Sequence, residues 1–180
     1  MSNTLIYFFY GLAFFSLGLG VLARIRSIWQ QDVASHLRWL ALFGLLHGAA
    51  EWVTMARLLG AGQVWLHSLD TALAASSFAA LLYFGLIWVF KQENPIPAAT
   101  LTASGSLALW IVAWLTLPSG AVIDVVGRYL LGLPAIIAVL VGFFRRSELF
   151  GNDPRGRRLF WATSIGFAVY ACATSISQPG

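Results

Sequence analysis

Residues 65–90 read WLHSLDTALAASSFAALLYFGLIWVF. Asp70 is the single Asp, Glu, Lys or Arg in that run. Its apolar residues are continuous, whereas a half-buried strand would alternate them with polar ones, and Leu and Ala are abundant. A bilayer needs roughly 20 mostly apolar residues per helical span. In hydrocarbon every backbone amide must find its partner within the segment, so such a run folds as a helix. The stretch predicts a membrane-spanning helix.

On either side of it, residues 5–23, 39–59, 98–117, 122–144 and 159–176 have the same character. The expected fold is therefore all-α, a polytopic transmembrane bundle of six helices forming one domain over residues 1–180. Composition agrees. Of 180 residues, 59% are hydrophobic and 10% charged, with a mean hydropathy of +0.78. Soluble domains carry roughly 25% charged residues, so this chain cannot clothe a globule in water-compatible surface. A soluble enzyme, a nucleic-acid module and a disordered linker are excluded. The net charge of +4 comes from only eleven Lys and Arg, most of them in two short loops. A lone Cys172 excludes a disulfide framework or a cysteine-rich metal site.

Charge placement predicts orientation. No Lys or Arg precedes the first apolar stretch, and Arg24 and Arg26 come after it, which is not the order of a cleavable signal peptide. Arg24, Arg26 and Arg38 flank the first connection, Lys91 the third, and Arg145, Arg146, Arg155, Arg157 and Arg158 the fifth. The second connection has Arg57 alone and the fourth none. The positive-inside rule puts the odd connections in the cytoplasm and the N-terminus outside. Residues 24–36 place Ile25, Ile28, Trp29 and Val33 three to four apart, as in a short helix lying in the interface. The arginines of residues 147–158 suit lipid phosphates, around a Gly151-Asn152-Asp153-Pro154 turn. The chain ends on Ser177-Gln178-Pro179-Gly180 in an outer loop, as expected of a chain cut short before one more helix.

An ionisable residue at membrane depth costs several kcal/mol, so each is a functional candidate. The candidates are His47, Glu51, Asp70, Asp124 and Arg128. From the helix rise, Glu51 lies about 12 Å, Asp70 about 8 Å and Arg128 about 9 Å below the outer ends of their spans. Three charges on three helices thus share one layer, and the expectation is that they face one another inside the bundle. Arg128 would hold one carboxylate ionised, while the other is protonated or awaits a cationic or hydrogen-bonding ligand. His47, one turn from Glu51, can relay a proton or orient that carboxylate. An Asp124–Arg128 pair within one helix is the simpler alternative, and it would leave Glu51 and Asp70 without a basic partner. A purely structural ion-pair network is the other. Gly44, His47, Gly48, Glu51 and Met55 share a helix face, and Gly44-x-x-x-Gly48 is a seam for close helix approach. Asp70, Ala74 and Ser77 form a small and polar face. Trp52 either walls a pocket beside Glu51 or meets lipid. No two histidines lie at matched depth, as a bis-histidine haem requires, and no second cluster completes a metal shell around His47 and Glu51. No cofactor, metal or catalytic residue is expected.

The stretches YFFYGLAFFSLG (residues 7–18) and FGLLHGAAEW (residues 43–52) resemble one bacterial family. It is the multi-helix membrane input region found ahead of sensor histidine kinase or diguanylate cyclase (GGDEF) modules. The second stretch, of the form FGLLHG..EW, is the specific one. The resemblance implies a sensory input module in a bacterial inner membrane, a seventh helix, a cytoplasmic output domain and a homodimer formed through that domain. This chain departs from the pattern in having neither the further helix nor the output domain, so no enzymatic activity is expected of it. Membrane lipids and a small ligand or a proton are the expected partners. The alternatives are a small proton-coupled transporter, which predicts inverted repeats or broken helices such as one at Pro134, and an accessory subunit of a larger membrane complex.

Overall fold

The computed structural model describes residues 2–25, 31–60, 64–90, 96–117, 120–145 and 166. Those residues are helical, with short turns and no strand. Helix α1 covers Ser2–Ile25, α2 Gln31–Leu58, α3 Val64–Val89 and α4 Ile96–Thr116. Helix α5, Gly120–Gly127, runs through a π turn at Arg128–Gly132 into α6, Leu133–Arg145. Four segments are long and apolar enough to cross a membrane: Thr4–Ile25, Trp65–Val89, Ile96–Thr116 and Val122–Arg145. Helix α2 is longer still, at 28 residues, but is not among the four. His47, Glu51 and its charged first turns dilute its apolar character. Apart from Gly166, the expected sixth helix at 159–176 lies outside the described residues, as do the arginines beyond Arg145 and the chain end.

The interfacial helix expected over residues 24–36 is met only at its ends: Arg24 and Ile25 finish α1 and 31–36 are the first turns of α2, while 26–30 lie outside the described residues. Pro134, named with the carrier alternative, does not end its helix. Proline has no N–H and its ring crowds the carbonyl four residues back. The π turn just before it widens the backbone there, with Leu133 N–H bonding the Arg128 carbonyl, and the helix continues.

Side chains are distributed for an apolar solvent. Leu101 and Leu115 of α4 are each 76% exposed, and α1 turns Leu5, Ile6, Phe8, Phe9 and Leu19 outward. His47, Thr71 and Ser77 are buried. An exposed apolar surface of this extent is a liability in water and is ordinary in lipid.

The chain forms two compact units, Met1–Leu81 and Leu82–Gly180. In the first, α1 and α2 meet backbone to backbone. A Cβ on Gly44 would lie 2.7 Å from the Phe14 carbonyl oxygen and 2.8 Å from Gly18 N. One on Gly48 would lie 2.7 Å from the Gly11 carbonyl oxygen and 2.8 Å from Phe15 N. Gly11 and Gly18 of α1 answer Gly48 and Gly44 of α2, so both sides of the seam lack side chains. Gly60 ends α2 at φ +93°, donating to the Arg57 carbonyl at 3.1 Å. Left-handed backbone of this kind favours glycine.

In the second unit, Gly142 of α6 seats the Trp88 side chain, and Gly85 of α3 lies against Ala138 and Val139. Trp88, Phe84 and Phe143 pack with ring centroids 5.9–6.1 Å apart. Arg145 Nη1 donates to the Val89 carbonyl at 3.0 Å, covering a free carbonyl at the end of α3. Gly127 of α5 lies under the Trp110 indole of α4, which stacks on Trp114.

The seam makes a prediction. Gly44→Ala and Gly48→Ala should each destabilise the protein by about 1–3 kcal/mol, the cost of overpacking. Gly20→Ala, where a Cβ meets nothing within 4 Å, should not. Unfolding midpoints of the three variants in detergent micelles check this.

Candidate functional site

Helices α2 and α3 are joined by polar contacts whose residue numbers run in opposite directions, so the helices are antiparallel. His47 meets Ser77, and further along Thr54 and Arg57 meet Asp70. On α2, His47, Glu51 and Thr54 stand at i, i+4 and i+7, one continuous face. That face carries two clusters.

The inner cluster is centred on His47, which is 4% exposed. Its Nδ1 lies 3.0 Å from Ser77 Oγ, and the Ser77 hydroxyl donates to the Ala74 carbonyl at 2.7 Å. Its Nε2 lies 3.5 Å from Glu51 Oε1. Three phenylalanines enclose the ring. Phe14 of α1 meets it edge-on at 4.5 Å, Phe43 of α2 stacks at 5.2 Å, and Phe78 of α3 is tilted at 5.3 Å. The histidine is therefore held by one residue or more from each of three helices. Glu51 is less enclosed, with 18% of its side chain exposed.

The outer cluster is centred on Asp70. Arg57 Nη1 donates to Asp70 Oδ2 at 2.6 Å, and the Thr54 hydroxyl is shared between the two carboxylate oxygens at 2.9 and 3.0 Å. Charge-assisted bonds of this length are among the stronger ones a protein makes. This corrects the expectation that Asp70 has no base unless Arg128 supplies one. Arg57, read from the sequence as a connection residue, sits in the last turn of α2 and reaches across the turn to α3.

Trp52 does not wall a pocket beside Glu51. Its indole lies over Gly11, where a Cβ would be blocked, its Nε1 donates to the Phe8 carbonyl at 3.4 Å, and its ring meets Phe15 at 5.0 Å. It fastens α2 to α1. Asp124 and Arg128 belong to the second unit and stand four residues apart, and Arg128 opens the π turn with an exposed side chain. Within the first unit the structure thus brings together His47 and Glu51 on α2, with Asp70 two turns away along α3.

Sequence reasoning placed Ser77 on a polar face but missed its bond to His47, and it missed Thr54, Arg57 and the three phenylalanines as site residues. A signal for the polar partners existed. Thr54 and Asp70 are equally far from position 62, as are His47 and Ser77. That symmetry is what two antiparallel helices about one turn produce.

The second unit offers a different surface, an apolar cleft of about 380 Å³ whose walls include Leu86, Val89, Thr102, Ser106, Pro134 and Ile137. Among the described residues, no ionisable group lines it. No protein-family model, curated protein or solved structure matches the chain.

The Arg57–Asp70 contact is testable by a double-mutant cycle. Asp70→Asn and Arg57→Gln should each lower the unfolding midpoint, and their effects should overlap with a coupling of about 0.5–3 kcal/mol. Additive effects would show that the pair contributes no coupling.

Proposed function

We propose that the chain is a membrane-embedded sensory input module of a bacterial signal-transduction protein, working through the polar face of α2. It sits in the inner membrane with its N-terminus outside and crosses six times, the 159–176 segment supplying the last span. One observation carries this reading: a buried histidine bonded to Ser77 of another helix and set against a carboxylate, in a part of the chain whose outer surface is made for lipid. Ionisable groups at such depth are costly, by about 2.5–3.5 kcal/mol each on insertion scales. They persist where they bind, relay or switch. A change of protonation or ligand at His47 and Glu51 acts on the contact between α2 and α3. A bias of a few kcal/mol between two packings is enough to switch an attached output domain. The likeness of residues 43–52 to histidine kinase and diguanylate cyclase input regions supports the same reading, since His47 and Glu51 both fall in that stretch.

A proton-coupled carrier would use similar residues. It calls for broken helices in matching halves, and the π turn at Arg128–Gly132 has no counterpart among the described residues.

Chromosomal replacement of Glu51 by Gln in the native host tests the proposal, with the membrane level of the protein followed in parallel. The variant should insert at the normal level yet shift the same transcripts as deletion of the gene. A strain indistinguishable from wild type would remove the Glu51 charge from the function. Proton flux into dye-loaded vesicles carrying the purified chain, lost in Glu51→Gln, would replace sensing by transport.

A further inference from the structure

The positions of the protons around His47 are set by two distances. Ser77 Oγ and the Ala74 carbonyl oxygen are 2.7 Å apart. The carbonyl has no hydrogen, so in this contact, the shorter of the two that Ser77 makes, the hydroxyl is the donor. Ser77 then has only lone pairs to offer His47 Nδ1, 3.0 Å away, and Nδ1 must carry a hydrogen. A neutral imidazole has one N–H. With that hydrogen on Nδ1, Nε2 is a bare acceptor facing Glu51 Oε1 at 3.5 Å. A bare nitrogen against an ionised carboxylate sets lone pair against lone pair beside a buried ring, where polar contacts weigh more than in water.

One additional proton removes the conflict. On Nε2 it makes an imidazolium donating to a carboxylate. On Glu51 it makes a carboxylic acid donating to a neutral ring. The two forms have the same atoms and zero net charge, and they interconvert by moving one proton along one line. The geometry points to a binding site for a single proton shared between His47 Nε2 and Glu51, with Ser77 fixing the ring so that Nε2 faces the carboxylate.

The surroundings favour the neutral, one-proton state. From α1 the ring meets Phe14, and residues 11–18 of that helix contain no ionisable side chain. From α3 it meets Ser77 and Phe78; the carboxylate of that helix, Asp70, is engaged by Arg57 and Thr54, and the Tyr83 phenol stands six residues beyond Ser77. On α2 itself Phe43 covers one face and Glu51 is the ionisable neighbour. Release of the proton leaves a net negative charge and an unfavourable contact. The ring relieves it by turning Nδ1–H away from Ser77, which breaks a bond between α2 and α3. Proton occupancy is thereby tied to helix contact. The inference rests on the sensory reading above for its purpose and supplies that reading with its ligand.

The test is a pH titration of the full chain in lipid nanodiscs, with ¹⁵N-labelled histidine and ¹³C-carboxyl-labelled glutamate. His47 is assigned by loss of its signal in His47→Gln, and Glu51 by loss of its signal in Glu51→Gln. The expected result is that Nδ1 stays protonated while the shared proton is present, and that the His47 and Glu51 signals move together at the same midpoint. Glu51→Gln should weaken proton binding at His47 at least tenfold. Ser77→Ala should release the ring into a mixture of tautomers. A bare Nδ1 with hydrogen on Nε2 in the wild type, or His47 titrating identically in wild type and Glu51→Gln, overturns the proposal. The host experiment separates the two claims. A shared proton with a normally responding Glu51→Gln strain leaves the site standing and removes the sensory role. Independent titration with a defective strain does the reverse.

Discussion

Carbonyl oxygens of α1 lie where any side chain on Gly44 or Gly48 would have to go, and what can surround His47 depends on that contact. Between those glycines, α2 carries His47 one residue before Gly48. Because α1 approaches so closely there, Phe14 reaches the imidazole edge-on at 4.5 Å. The same approach lets the Trp52 indole lie on Gly11 and its Nε1 reach the Phe8 carbonyl. In hydrocarbon two helices gain little from hiding apolar surface from each other, and contact area and hydrogen bonds hold them instead. Four glycines facing in pairs provide the first, and α3 provides the second through Ser77 and Asp70.

The polar contacts differ in kind along α2. Near its end, Arg57 and Asp70 are a full ion pair, and the Arg57 side chain is 36% exposed. Seven residues earlier than Thr54, about 10 Å along the axis, His47 sits in a closed aromatic setting. At the first position the charges are paired and the arginine is partly exposed. At the second, three phenylalanines enclose a ring bonded to Ser77.

Much of this could be read from the residues. The apolar runs located α1, α3, α4 and the α5–α6 rod to within a few residues, because the length of a span is set by the bilayer. The start of α2 was harder, since Val33 and Ala34 are the only apolar residues among 31–36 and form no continuous apolar run. The neighbouring of His47 and Glu51 was visible as an i, i+4 spacing. The partner of Asp70 was not, because Arg57 looks like a loop residue until the turn at Gly60 is known. The Trp52 contact with α1 was not legible for a related reason: its site is defined by the missing side chain of Gly11, and an absence forty-one positions away in sequence leaves no local mark. How Arg128 is used depends on contacts between helices, which spacing within one helix does not determine.

The π turn at Arg128–Gly132 has a bearing on ancestry. A π turn takes one more residue than an α turn to come round to the same angular position, so this rod holds one residue in excess of a regular helix with the same inward-facing positions. A cousin of this protein without Pro134 would then be expected to be shorter by a single codon in that stretch, with Gly127 and Gly142 still turned toward their tryptophans. Alignments that forbid a gap inside a membrane helix would place everything beyond it one position out of phase.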